Sequence, residues 1–216
     1  AASVKIYTTK TVMGSFLCKY SAFSGESPDY LRRLFSFQPV YIGRPVTIHG
    51  GEFDIFYALH SIPTMGFRLS FQGRSFVYSS DHQGDPEVQK KMLEEGAMDR
   101  PRFEQLQNFP WESDVIYHES GIAPLHTPLR FLASLPEDVQ SRTVVYHIAQ
   151  KDFDKIENTA LQRATFGIEN TLYFETEPSV FEDAYRALDI LKRLDFFESL
   201  PVKKVQEFLS IIERRH

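Results

Sequence analysis

Two apolar runs, Phe67 to Phe71 and Ser75 to Tyr78, are separated only by Gln72-Gly73-Arg74. A link this short cannot carry the crossover that a parallel pair needs, and its glycine supplies the tight turn of an antiparallel one, so the two runs must close on each other as a hairpin. The same logic applies just upstream. Extended stretches at Pro45 to His49 and Glu52 to Leu59 flank the turn pair Gly50-Gly51, so antiparallel strands dominate the middle of the chain.

Either side of this block the pattern is different. Val4 to Thr8 alternates as a strand, and Val12, Met13, Phe16, Leu17 and Tyr20 then recur at helical spacing, followed by a shorter helix at Tyr30 to Phe35. After residue 85, Pro86-Glu87 opens a charged helix that runs to Glu95, with Gly96 at its end. Strands at Val115 to Tyr117 and Thr143 to Ile148 bracket a helix from about Pro128 to Leu135, a β-α-β order. Hairpins followed by alternating strands and helices define an α/β (α+β) fold, with sheets covered by helices. From Ser179 onward, Phe181, Ala184, Tyr185, Leu188, Leu191 and Leu194 make one helical stripe, and a second helix starts at Pro201 with Val202, Val205, Phe208, Leu209 and Ile212 inward. The expected division is therefore 1–178 for the main domain and 179–216 for a helical extension.

Composition removes several function classes. The chain has 24 Lys and Arg against 29 Asp and Glu, a formal charge of -5, and no long basic run, which argues against tight binding of a nucleic-acid polymer. No stretch approaches the ~20 apolar residues of a membrane span, and the N-terminal Ala1-Ala2-Ser3-Val4-Lys5-Ile6 has no signal-peptide pattern. The single cysteine, Cys18, rules out an internal disulfide and, with apolar neighbours, reads as a buried thiol. A reducing, cytoplasmic setting is the expectation.

The chemistry-bearing residues sit where strands end. His60 follows the Glu52 to Leu59 stretch and opens Ser61-Ile62-Pro63-Thr64-Met65-Gly66-Phe67. Asp81 follows Phe76-Val77-Tyr78 in Ser79-Ser80-Asp81-His82. His147 closes Val144-Val145-Tyr146. Two imidazoles and a carboxylate are donors that zinc, manganese or iron accept. Taken singly, each has a structural explanation, a hydrogen-bonded histidine or an aspartate capping a turn.

Taken as an ordered set, Phe53 to His82 resembles the metallo-β-lactamase superfamily, in particular its ribonuclease Z-like and cyclic-nucleotide phosphodiesterase-like branches. The resemblance extends over roughly residues 4 to 150 and implies a partial metallo-β-lactamase αββα sandwich followed by the two amphipathic helices. It also implies that Asp81 bridges two divalent metal ions, zinc first with manganese or iron as alternatives, while His60 and His147 each serve one of them. Tyr117-His118-Glu119-Ser120-Gly121 and His126-Thr127 match a His-Glu stretch and a later His of ribonuclease Z-like enzymes. By that match His126 is the acid that protonates the leaving oxygen and Glu119 is its orienting partner. The implied activity is metal-dependent hydrolysis of a small phosphodiester, a cyclic nucleotide or an RNA-type linkage. A different class is a non-catalytic regulatory or scaffold module coupled to cyclic-nucleotide sensing, and metal content separates the two. Hydrolysis of a thioester or lactam is a third reading, to which His118, Glu119 and His126 lend no special support.

The superfamily's His-x-His-x-Asp-His string is absent from these 216 residues. The resemblance thus implies a chain that starts downstream of it and is inactive alone, a homodimer or a complementing chain being ways to complete the site. His49, His82 and His118 are the reserve donors. Leu191 to Pro201 likewise resembles the opening of a cyclic-nucleotide-binding domain. Two geometric expectations follow: His60, Asp81 and His147 should share one rim of the sheet, and Glu119 should lie within hydrogen-bond reach of His126 or of a metal ligand.

Overall fold

The computed structural model describes residues 4–168 together with Thr171 and Tyr173. The two helices expected over residues 179–216, and the boundary at 178, lie outside the described residues. In the described part the fold is mixed α/β, as the alternation of patterns requires.

The first strand, β1 (Val4–Thr8), feeds α1 (Lys10–Ser24), whose N-terminus is capped by the Thr9 hydroxyl accepting from the Val12 N–H and whose C-terminus ends on Gly25 at φ 74. Next comes α2 (Pro28–Leu34), then β2 (Phe35–Pro39), which pairs parallel with β1. The sequence pattern runs the helix through Phe35 and leaves β2 unrecognised. Phe35 instead turns extended and sets its ring edge-on against Phe16, 5.3 Å between centroids, so packing overrides the helical register. Met13, Leu17 and Leu31 form the buried core of this unit. Cys18 lies one residue past Leu17 and faces solvent. The expected buried thiol is therefore wrong, because the inward stripe of α1 is narrower than its run of apolar neighbours suggests.

A seven-stranded sheet holds the rest, in the order β3-β4-β5-β6-β7-β8-β9. Its antiparallel part is β3 (Val46–Ile48), β4 (Gly51–Ala58), β5 (Thr64–Phe71) and β6 (Arg74–Tyr78). Both hairpin links are two residues long, His49-Gly50 and Gln72-Gly73, and all four residues have positive φ, the type I′ pattern that matches strand twist. The first turn thus sits one residue earlier than Gly50-Gly51. Gly51 belongs to β4, where a Cβ would lie 2.6 Å from the Leu69 side chain.

From β6 onward the pairing is parallel. Helices α3 (Pro86–Glu94) and α4 (Arg100–Leu106) lead to β7 (Val115–Glu119), α5 (Leu129–Ala133) and α6 (Glu137–Gln140) to β8 (Thr143–Tyr146), and α7 (Gln150–Phe153) to the short β9 (Gln162–Arg163). The sequence pattern missed α4, α6, α7 and β9, all short. Val77, Ile116 and Val145 are fully buried on the central strands, and Leu129, Leu132 and Leu161 pack with Val145. No described helix is long and apolar enough to cross a membrane.

The antiparallel-to-parallel switch at β6 has a functional consequence. Strands β6, β7 and β8 all point the same way, so their C-terminal ends share an edge, and the β4–β5 link comes to the same edge because β4 also runs parallel to β6. The start of β5, just past that link, leaves little room. A Cβ on Gly66 would meet the Phe56 ring and lie 2.7 Å from the Tyr78 carbonyl oxygen. Gly66→Ala is expected to cost about 1–3 kcal/mol of stability, read as a lower urea midpoint at unchanged slope.

Candidate metal centre and its hydrogen-bonded frame

Glu119, the last residue of β7, is fully buried. Its Oε1 accepts from two backbone N–H groups, His82 at 3.1 Å and Thr127 at 3.0 Å. Its Oε2 faces two imidazoles, His126 Nδ1 at 3.1 Å and His147 Nδ1 at 3.7 Å. Burial pushes this carboxyl up to about 7, opposed by the Thr127 and His82 N–H groups and by His147. One carboxylate thereby ties together the segments after β6, after β7 and after β8.

The other expected residues gather around it. Asp81 Oδ1 lies 3.8 Å from His147 Nδ1, and His60 and His126 have ring centroids 5.3 Å apart, as His126 and His147 have at 4.8 Å. His60, Asp81 and His147 thus share one rim, and Glu119 reaches His126. The backbone supports this placement. Ser80 (φ 55) and His147 (φ 62) are both left-handed, a conformation uncommon for residues with a Cβ, and each turns the chain sharply at a strand end.

A hydrogen-bonded frame fixes the rim. The Ser79 hydroxyl accepts from the Glu119 N–H at 3.0 Å and contacts the Tyr146 hydroxyl at 3.2 Å. The Thr127 hydroxyl donates to the His82 carbonyl at 2.6 Å and accepts from the Gly84 N–H at 2.7 Å. The Gln83 amide donates to the carbonyls of Pro124 (2.9 Å) and His126 (2.7 Å), which clamps the loop carrying His126. Ser79, Gln83 and Thr127 were not singled out from sequence. Their one signal is polarity inside an otherwise buried stretch.

The reserve histidines are placed elsewhere in the frame. His49 is in the β3–β4 turn, at the opposite end of β4 from His60. His82 Nδ1 accepts from the Leu59 N–H at 2.9 Å. His118 Nδ1 donates to the Glu119 carbonyl at 2.7 Å, and its ring stacks on Trp111 at 5.4 Å between centroids.

Residues able to hold a cation are present at ligand spacing. The donor atoms of Glu119, His126 and His147 lie within 4.8 Å of one another, and His60 Nδ1 is a buried nitrogen with no hydrogen-bond partner. Two imidazoles and a carboxylate at this spacing, beside an orphaned imidazole nitrogen and Asp81, fit zinc, manganese or iron.

The fold and this cluster define an α/β protein with a histidine and carboxylate centre on the rim of its sheet. It belongs to the Anti-Pycsar protein Apyc1 family, which it matches over residues 4–169. It is 37% identical over 212 residues to cGMP-dependent 3′,5′-cGMP phosphodiesterase A of Dictyostelium discoideum, covering 98% of this chain and 24% of that protein. Against cAMP/cGMP-dependent 3′,5′-cAMP/cGMP phosphodiesterase B of the same organism it is 35% identical over 168 residues, covering 78% and 15%. The chain spans about a quarter or less of the length of these curated relatives. Among solved structures it is similar to the metallo-β-lactamase fold protein YhfI from Bacillus subtilis, with TM-score 0.46 and 10% identity, covering 77% of this chain and 64% of that one. Human tRNase Z, short form, gives TM-score 0.43 and 15% identity, covering 76% and 66%.

The buried histidines shape acid stability. Burial pushes His82 down to about 3 and His118 to about 4, whereas the unfolded imidazoles titrate near roughly 6.5. Below that value the unfolded chain takes up two protons that the native one does not, so stability falls with falling pH. Glu119 acts oppositely between its ordinary range and about 7, where the native carboxyl holds the extra proton and rising pH lowers stability. Two imidazoles outweigh one carboxyl, by roughly 1.4 kcal/mol per pH unit. Urea midpoints of metal-free protein are expected to peak near about pH 7 and to fall steeply below ~5.5. His118→Phe, which keeps a ring on Trp111, should flatten that acid limb.

Proposed function

We propose that the chain carries the catalytic rim of a metal-dependent phosphodiesterase acting on small phosphodiesters, 3′,5′-cyclic nucleotides first. The observation that carries this reading is the convergence of His60, Asp81, Glu119, His126 and His147 at one sheet edge. The cyclic-nucleotide phosphodiesterase activities for which the two Dictyostelium relatives are named support the substrate class. Asp81, His60 and His147 would hold divalent metal, zinc first, with Asp81 shared where two ions bind. When bound, the metal supplies Lewis acidity at the phosphoryl oxygens and a nucleophile at neutral pH.

The remaining steps belong to the chain's own residues. Glu119 Oε2 accepts from Nδ1–H of His126, which leaves Nε2 as the nitrogen that can meet substrate. A protonated His126 neutralises charge growing on the leaving oxygen and gives it the Nε2 proton as the P–O bond breaks. His126 is then neutral and takes its next proton from solvent. The Gln83 clamp on the His126 carbonyl limits drift of the ring during this transfer. Glu119 and His126 could instead serve as metal donors, and the two roles separate experimentally.

The test pairs metal affinity with turnover. Zinc or manganese is titrated into the chain by calorimetry, and hydrolysis of bis-p-nitrophenyl phosphate and cyclic nucleotides is followed with the same metals in the chain alone, expected to stay at background, and in the chain supplied with a segment carrying the His-x-His-x-Asp-His string. Asp81→Asn and His147→Ala are expected to weaken metal binding tenfold or more. With that segment supplied, Glu119→Gln should leave metal affinity nearly unchanged and lower kcat on the order of 10²-fold, a larger effect than its effect on the unfolding midpoint. Full metal affinity in both Asp81→Asn and His147→Ala removes the metal reading. Loss of metal by Glu119→Gln moves Glu119 from acid partner to ligand.

A further inference from the structure

A cavity of about 540 Å³ opens beside His60, between the β4–β5 link, the start of α1 and the α3–α4 connection. Its walls mix polar and apolar surface in about equal measure, with Met65, Met92 and Met98 among the apolar residues. Thioether side chains adapt to flat aromatic ligands and contact them favourably. The size suits a small ligand, and a concave site that sets polar groups among apolar walls beside a reactive centre is where substrate bodies bind.

One of those polar groups is unusual. Arg102, on α4, holds its guanidinium carbon 3.5 Å from the centre of the Tyr57 ring on β4. Among the described residues no carboxylate lies within 4.0 Å of it, whereas the guanidinium groups of Arg32, Arg68, Arg74 and Arg142 each have one. Stacking fixes the plane of the guanidinium and keeps its N–H fork available along the edge. Asp99, which also lines the cavity, accepts from the Arg102 backbone N–H at 2.9 Å through Oδ1, so its second oxygen is open to a donor.

Resting on the phosphodiesterase reading, we propose that this cavity takes the base of a cyclic purine nucleotide and that Arg102 makes the site prefer guanine over adenine. Guanine presents two acceptors, O6 and N7, which a guanidinium fork reads bidentately. Adenine presents an N6 amino donor where guanine has O6, so the same fork would face N–H with N–H. The phosphodiester then lies at the His60 end and the base at the Arg102 end. Asp99 is placed to accept from the amino and imino N–H groups that guanine alone offers.

The experiment is calorimetric binding of cGMP, cAMP and ribose 5-phosphate to the 216-residue chain in chelator, so that hydrolysis plays no part. The native chain is expected to bind cGMP roughly ten- to a hundredfold more tightly than cAMP, and ribose 5-phosphate more weakly than either. Arg102→Gln should bring the cGMP to cAMP ratio close to one with the urea midpoint unchanged. Arg102→Lys keeps the charge and loses the fork, so it should lose the preference as well. Equal binding of the two nucleotides by the native chain, absence of binding, or a preference that survives in either variant overturns the proposal. Failure of the phosphodiesterase reading looks different: discrimination between cGMP and cAMP persists in chelator while no phosphodiester is hydrolysed with metal even when a segment carrying the His-x-His-x-Asp-His string is supplied.

Discussion

A carboxylate with no exposed surface needs compensation for lost hydration, and Glu119 finds it in two backbone N–H groups and a facing imidazole. The compensation comes from residues 82, 126 and 127, which no element of secondary structure would otherwise hold together. The loop from Ser120 to His126 contains no regular structure and carries Ile122 largely in solvent, so it has little core of its own. Its position is set by Glu119 at one end and by the Gln83 amide along its length. The same residue is thus both the anchor of a loop and the partner of that loop's histidine.

Such a dual role constrains how the site can be read. Burial raises this carboxyl to about 7, against the pull of the Thr127 and His82 N–H groups and of His147, so it is poised between its two forms near neutrality. With His126 protonated the carboxylate is favoured, and a metal cation near His147 and Asp81 would push in the same direction. The frame of hydroxyls around Ser79, Tyr146 and Thr127 carries no formal charge of its own. It orients the groups that do.

Much of the fold was legible because the signals were local. The Gln72-Gly73 turn, the stripe from Val12 to Tyr20 and the Pro86 helix start each follow from chain geometry within a few residues. Phe35, by contrast, ends a helix and starts a strand because of a ring ten or more residues away, and β9 is two residues long, below any periodicity. The rim residues His60, Asp81 and His147 were visible as polar groups closing apolar strands. Gln83 was not, since what it does is bond to carbonyls 41 and 43 residues distant, and nothing near it in sequence indicates those partners. Cys18 shows the converse error: apolar neighbours in sequence are not neighbours in a helix, where successive residues are turned by roughly 100°.

Sheet topology explains why the chemistry and the cavity adjoin. A purely antiparallel sheet would send the ends of neighbouring strands to opposite edges, so Glu119, which closes β7, would be separated from Asp81 and His147 by the length of a strand. The parallel run β6-β7-β8 brings three strand ends together, and each parallel step requires a helical crossover that must start from that same edge. The crossover after β6 is the α3–α4 pair, and it supplies Met92, Met98, Asp99 and Arg102 to the cavity next to His60. The element that makes the pairing parallel therefore also builds the wall beside the site. Substitutions in α4 can alter what the cavity accepts without touching the Glu119 frame, because Arg102 and Glu119 share no hydrogen-bond partner in the described residues. The cavity and the Glu119 frame are in this way separable parts of one edge.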